Sequence, residues 1–252
     1  MRSVVVVLGA SGGIGRAVTA DQVAHGRHVV AVARGENVLA MRDEYVTPVL
    51  GDAAKPEDLE EVFSVAARIG PVDALVHSVF ADARVPLTQL DPAAMQQVFA
   101  AGATSALKAA QLLHRQPART TACVLVGSIH AGFGEAGMAA YSTAKAALRG
   151  ISRSLAVEWG PEGMRTNLVE PGFVPVPRNE PLADDAVLEQ LRRAYPSPRL
   201  CTPDDVAHLT TFLLSDKADF INGATIPVDG GAGAVLPETL LRPLPAAYAK
   251  EQ

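Results

Sequence analysis

At 252 residues and 26.3 kDa, with 48% apolar and 19% charged residues, the chain has the composition of a globular core and not of a disordered segment. A formal net charge of -5, with acids and bases interspersed, leaves no basic tract for nucleic acid or an anionic membrane, and no stretch approaches the roughly 20 apolar residues that span a bilayer. Two cysteines, Cys123 and Cys201, provide neither a disulfide framework nor metal-ligand spacing, which suits a reducing cytoplasm.

Val4 to Leu8 is apolar and mostly β-branched, as a parallel strand buried on both faces should be, and is too short for the core of a secretion signal. Gly9-Ala10-Ser11-Gly12-Gly13-Ile14-Gly15 follows and opens a helix to about His25. Strand, glycine turn and helix together make a pyrophosphate cradle: glycine lets the backbone approach the anion, and unpaired N–H groups at the helix start face it. An ordinary tight turn is the plainer alternative. His28 to Ala33 reads as a second strand. Its end is where an acid would hold the ribose 2′-hydroxyl of NAD; here Ala33 is followed by Arg34, whose guanidinium suits a 2′-phosphate. Tyr45 to Leu50 predicts a third strand ending in Gly51-Asp52, and Pro56 to Arg68 a helix whose early Glu57, Asp58, Glu60 and Glu61 match its dipole. Ala74 to His77 is a fourth strand leading into Ser78, Val79 and Phe80. Asp91 and Pro92 open a long helix to about Gln116, interrupted by Gly102.

Thr121 to Gly127 predicts a fifth strand that delivers Ser128 at its C-terminal end, the side on which doubly wound sheets bind ligands. The helix from Ala139 to Trp159, ended by Gly160-Pro161, carries Tyr141 and Lys145. Positions i and i+4 share a helix face, so a phenol and an ammonium stand side by side. A free tyrosine titrates near about pH 10 and needs about 4 kcal/mol to exchange protons at neutrality. One ammonium about 4 Å away, at an effective dielectric near 20, supplies about that much. A nearby serine hydroxyl, both donor and acceptor, can polarise a substrate oxygen. Taken alone, Tyr-x-x-x-Lys also describes a solvated helix face. Met164 to Val169 predicts a sixth strand before Pro171-Gly172. The proline-rich stretch to Pro198, with an apolar helical piece around Ala186 to Tyr195, reads as a binding lid. Pro203 to Leu214 is a further helix, and Ala224 to Val228 a last strand before Asp229-Gly230-Gly231. The expected fold is α/β: a doubly wound, Rossmann-type parallel sheet of about seven strands with helices on both faces. We expect a single domain over 1–252, with a lid at about 173–198 and a tail at 232–252.

With Gly9-x-x-x-Gly13-x-Gly15, Ser128, Tyr141-x-x-x-Lys145 and Pro171-Gly172 in order, residues 3 to 231 resemble the short-chain dehydrogenase/reductase family. The resemblance implies that Tyr141 is the general acid or base, that Ser128 orients the carbonyl, and that Lys145 holds the nicotinamide ribose and depresses the tyrosine pKa. It further implies contacts of Gly9, Ser11, Gly13, Ile14 and Gly15 with cofactor phosphates or ribose, of Arg34 with a 2′-phosphate, of Asp52 and Ala53 with adenine, and of Pro171, Gly172 and Val174 with nicotinamide. The substrate pocket would take His130, Phe133, Met138, Phe173 and Tyr195; the alternative for His130 is a bond to a neighbouring backbone group, and for the aromatic and thioether residues a packing role. NADP(H) is favoured over NAD(H), and a homodimer or homotetramer through the two long helices is implied. The expected activity is hydride transfer between NADP(H) and a ketone or secondary alcohol, in the cytoplasm, on a small molecule, without nucleic acid, membrane or metal. The chain also departs from the family. Leu8 stands for a threonine, His77-Ser78-Val79-Phe80 for Asn-Asn-Ala-Gly, Gly102 for a helix asparagine, and Val176 for a threonine beyond Pro-Gly. Phe80 is expected to add bulk beside the adenosine groove. Similar changes occur in relatives that keep the fold without redox chemistry, such as halohydrin dehalogenases with Ser, Tyr and Arg. A non-redox dehalogenase, lyase, cyclase or isomerase using Ser128 and Tyr141, or an idle binding protein, are the alternatives.

Overall fold

Val4–Leu8 (β1) is buried at every position because both of its faces are covered. In the computed structural model, which describes residues 2–118, 120–177 and 185–236, its side chains alternate: Val4, Val6 and Leu8 enter one core, Val5 and Val7 the other. The remaining strands are His28–Ala33 (β2), Val46–Leu50 (β3), Val72–His77 (β4), Thr121–Val126 (β5), Met164–Pro171 (β6) and Thr225–Val228 (β7). All pair in parallel in the order β3-β2-β1-β4-β5-β6-β7. The order in which strands are laid down runs one way across the sheet from β1 to β3 and the other way from β4 on, which opens a crevice beyond the C-terminal ends of β1 and β4.

The helices are Gly13–Ala24 (α1), Pro56–Ile69 (α2), Pro92–Phe99 (α3), Ser105–His114 (α4), Ala139–Trp159 (α5), Asp185–Ala194 (α6) and Pro203–Leu214 (α7). Leu59, Phe63, Ala109, Leu113 and Leu148 carry α2, α4 and α5 onto one face. Val18, Val206, Ala207 and Leu213 carry α1 and α7 onto the other. The expected α/β doubly wound sheet is the fold observed.

Three local differences have physical reasons. Strand β4 starts at Val72, two residues before the predicted Ala74; Asp73 breaks the apolar run but is matched by Arg27 at 2.7 Å. The long helix from Pro92 is two helices joined by a π turn over Ala100–Thr104, centred on Gly102. Helix α6 is amphipathic rather than apolar: Glu189 pairs with Arg192 and Arg193 outside, while Leu191 and Tyr195 face inward. A 3₁₀ turn over Glu36–Met41 has no counterpart in the predicted elements. Part of the expected lid, 178–184, and the tail with Leu240, Leu241, Leu244 and Tyr248 lie outside the described residues.

Candidate active site

A cavity of about 1030 Å³ runs along the crevice from the glycine turn to helix α5. At one end stand Gly9, Ser11, Gly13, Ile14, Gly15, Arg34, Asp52 and Ala53; at the other Ser128, His130, Met138, Tyr141, Lys145, Pro171, Gly172, Phe173 and Val174. The fold therefore joins residues that are far apart in the chain.

The glycine end is built by a backbone turn. Gly9 and Ala10 both donate to the Val32 carbonyl, at 2.9 and 3.0 Å, and Gly9 has φ +81°. A Cβ there would meet the Ser78 carbonyl oxygen at 2.2 Å, so the turn and the loop after β4 close on each other only through glycine. Helix α1 then starts at Gly13 with no side-chain cap and no acid in its first turn. Its first N–H groups and positive dipole end are left to an anion, which is the chemistry a dinucleotide pyrophosphate needs. Val176, at the family's threonine position, lies over Gly13, where a Cβ would be 2.4 Å from its Cγ1. Leu8 has no exposure and belongs to the core.

The other end is set by β5 and α5. Ser128 is buried in extended backbone just past β5, and its Oγ accepts the His130 N–H at 3.2 Å. Lys145 is buried and donates to the carbonyls of Val126 at 2.7 Å and Val79 at 3.1 Å. Its Nζ is 5.7 Å from the centre of the Tyr141 ring, the one-turn juxtaposition expected on a helix. Tyr141 is flanked by the His130 ring, edge-on at 5.6 Å, and by the Phe80 ring at 5.4 Å. Phe80 lines the cavity, with its ring against Tyr141. Tyr195 accepts the Phe173 N–H at 2.9 Å, so the segment after α6 is tied to the one after Pro171-Gly172; burial raises the Tyr195 pKa.

Gly102 explains the missing asparagine. A Cβ at this position would lie 3.1 Å from Ala144 Cβ, immediately before Lys145, so any side chain here starts from a tight contact with α5. Below it, Ser105 Oγ donates to the Ala101 carbonyl at 2.5 Å and accepts from His77 Nε2 at 2.7 Å. Burial, aided by the Lys145 charge, lowers the His77 pKa to about 3, so this histidine is neutral.

One predicted residue stands apart. Phe133 does not line the cavity; the turn Ile129–Ala131 carries it past the rim, where it is 53% exposed. Conversely, Asp82, Arg84 and Glu135 line the cavity without having been singled out in the sequence. They lie in loops, where neither periodicity nor motif spacing marks them. Among the described residues no cluster fit to hold a metal ion occurs, and no helix is long and apolar enough to cross a membrane.

Residues 9–233 match the family model described as enoyl-(acyl carrier protein) reductase. The chain belongs to the short-chain dehydrogenase/reductase family. It is 31% identical over 238 residues to the 3-oxoacyl-[acyl-carrier-protein] reductase FabG of Salmonella typhimurium, covering 90% of this chain and 96% of that one. Identity with the cis-4-hydroxycyclohexanecarboxylate dehydrogenase of Sinomonas cyclohexanicum is 35% over 242 residues, covering 92% and 97%. Among solved structures, a short-chain type dehydrogenase/reductase from Mycobacterium ulcerans superposes with a TM-score of 0.84 at 25% identity, covering 96% of this chain and 90% of that one. A candidate NAD(P)-dependent gluconate 5-dehydrogenase from Beutenbergia cavernae, with NADP bound at low occupancy, gives 0.84 at 30% identity, covering 93% and 97%. As a short-chain dehydrogenase/reductase the protein is an NAD(P)-dependent oxidoreductase of a small molecule.

Proposed function

We propose that this short-chain dehydrogenase/reductase interconverts a ketone and its secondary alcohol with NADP(H), using Tyr141 as the proton donor and acceptor. The observation that carries this reading is the convergence of Ser128, Tyr141 and Lys145 in the same cavity as the uncapped start of α1 and Arg34. When bound, the dinucleotide supplies or removes hydride at the substrate carbon. Ser128 Oγ already accepts a backbone N–H, which directs its own O–H outward to a carbonyl oxygen. Tyr141 gives that oxygen its proton as the alcohol forms and takes it back in the reverse direction. Lys145, held by two carbonyls, keeps positive charge beside the phenol and the ribose position. Reduction consumes one hydride and one proton per carbonyl.

Arg34 follows β2 where an acid would select NAD, and its exposed guanidinium suits a 2′-phosphate. The NADP in the Beutenbergia cavernae structure supports the same preference. This reading has the enzyme in the cytoplasm as a homodimer or homotetramer, with its two free, buried cysteines reduced. The test titrates NADPH and NADH against the protein, then follows nicotinamide absorbance over a carbonyl panel with wild type and Tyr141→Phe. Tighter NADPH binding and a loss of about 10²-fold or more in Tyr141→Phe are expected. Turnover without nucleotide, or an active Tyr141→Phe, would overturn the proposal.

A further inference from the structure

The turn that carries Ser128 rests against an ion pair outside the cavity. Backbone bonds hold the turn together: the Ala131 N–H donates to the Ser128 carbonyl at 3.0 Å and the Gly132 N–H to the Ile129 carbonyl at 2.9 Å. A glycine stands at each end, Gly127 before Ser128 and Gly132 after Ala131. A Cβ on Gly127 would lie 3.1 Å from Glu170 Cγ, and one on Gly132 would lie 3.1 Å from Arg149 Nη2. Both glycine backbones therefore lie directly against side chains that are joined to each other, since Arg149 Nε and Nη2 grip the two Glu170 oxygens at 2.7 and 2.8 Å.

The pair also reaches the other elements of the site. Arg149 follows Lys145 by one turn of α5, and Glu170 precedes Pro171-Gly172 at the end of β6. Neither side chain lines the cavity, so the pair acts on the site only through the elements it joins. Glu170 is buried, and a buried ion pair holds a fold together no better than apolar side chains of the same volume. What a two-bond fork adds over apolar packing is direction, because it fixes both side chains in one plane. Direction matters at Ser128, since a misplacement of about 1 Å costs a reacting group up to about 10²-fold.

We propose that Arg149 and Glu170 are positioning residues, a planar brace that sets the Ser128 turn against the helix carrying Tyr141. Their effect passes through Ser128, whose hydroxyl meets the same carbonyl oxygen as Tyr141. The proposal rests on the ketone/alcohol reading of the site and adds two residues to it.

The test uses Arg149→Met with Glu170→Leu in one chain, which removes the fork and leaves no charge unpaired, so that folding stability and positioning separate. Steady-state kinetics with NADPH and a carbonyl substrate reads kcat and KM, hydrogen exchange by mass spectrometry reads the amides of 127–132, and urea unfolding reads stability. With stability near that of the wild type, kcat should fall about tenfold or more while NADPH affinity holds and exchange over 127–132 quickens. A merely structural pair would return kcat and exchange to wild-type values along with stability. Glu170→Gln keeps the volume and one acceptor oxygen and should move both readings the same way by less, so it decides the matter if the double variant does not fold. Wild-type kcat or wild-type exchange in these variants overturns the brace. Failure of the redox reading shows separately: if the wild type reduces no carbonyl, faster exchange in the variants leaves the brace standing, and unchanged exchange removes it.

Discussion

Arg149 lies one turn beyond Lys145 on α5 and meets Glu170, at the end of β6, through two parallel bonds: Nε to Oε1 at 2.7 Å and a terminal nitrogen to Oε2 at 2.8 Å. The Glu170 side chain is only 5% exposed, whereas Arg149 is 35% exposed. That asymmetry makes the two single substitutions unequal. Arg149→Met strands a carboxylate in the interior and should cost about 3–5 kcal/mol. Glu170→Gln leaves a guanidinium that can turn to water, and should cost about 1 kcal/mol. The gap of at least ~2 kcal/mol corresponds to roughly 4–8 °C in a protein of this size. Replacing both, Arg149→Met with Glu170→Leu, should recover most of the loss because no charge is left unpaired. Thermal and urea unfolding by circular dichroism, at one protomer concentration, reads all three variants. Equal losses in the two singles, or a double variant as weak as Arg149→Met, would refute the reasoning.

Two further outcomes follow from the region around Lys145. Gly102→Asn, which restores the family's residue, should lower stability by about 1–3 kcal/mol by overpacking against Ala144, with Gly102→Ala intermediate; an Asn variant of full stability and activity contradicts this. His77, held down to about pH 3 when folded, leaves the unfolded chain to bind the extra proton below about 6.5. Stability from this group is therefore complete above 6.5 and falls as pH drops toward 3, by up to about 1.4 kcal/mol per unit. His77→Gln keeps a donor for Ser105 and should flatten that slope in pH-dependent urea denaturation; parallel curves would count against the assignment.

Much of the fold was readable because burial writes itself into residue type. His28–Ala33, Ala139–Trp159 and Pro203–Leu214 have the bounds that apolar runs and caps suggested. At Pro203 the structure shows what fixes the start: Thr202 and Asp205 form a reciprocal capping box. The juxtaposition of Tyr141 and Lys145 was readable for a different reason, since local helix geometry relates them. What local pattern could not convey was direction across space. The contact of the Phe80 ring with Tyr141, sixty-one residues later in the chain, leaves no mark in the local pattern of either. Asp82, Arg84 and Glu135 were hidden because they reach the cavity from two loops about fifty residues apart in the chain.

The departures from the family's usual residues form one packing solution. Removing the asparagine side chain at Gly102 lets the π turn approach Ala144 and brings Ser105 under β4. There it accepts a hydrogen bond from Nε2–H of His77, the residue that stands for the family's first asparagine, and donates its own O–H to the Ala101 carbonyl. A polar link thus joins the end of β4 to the start of the opened helix turn through the His77 ring and Ser105. The arrangement works only with a neutral ring, because an imidazolium would put a second buried cation beside Lys145. Burial and the Lys145 charge both hold the His77 pKa down, in keeping with that neutral ring.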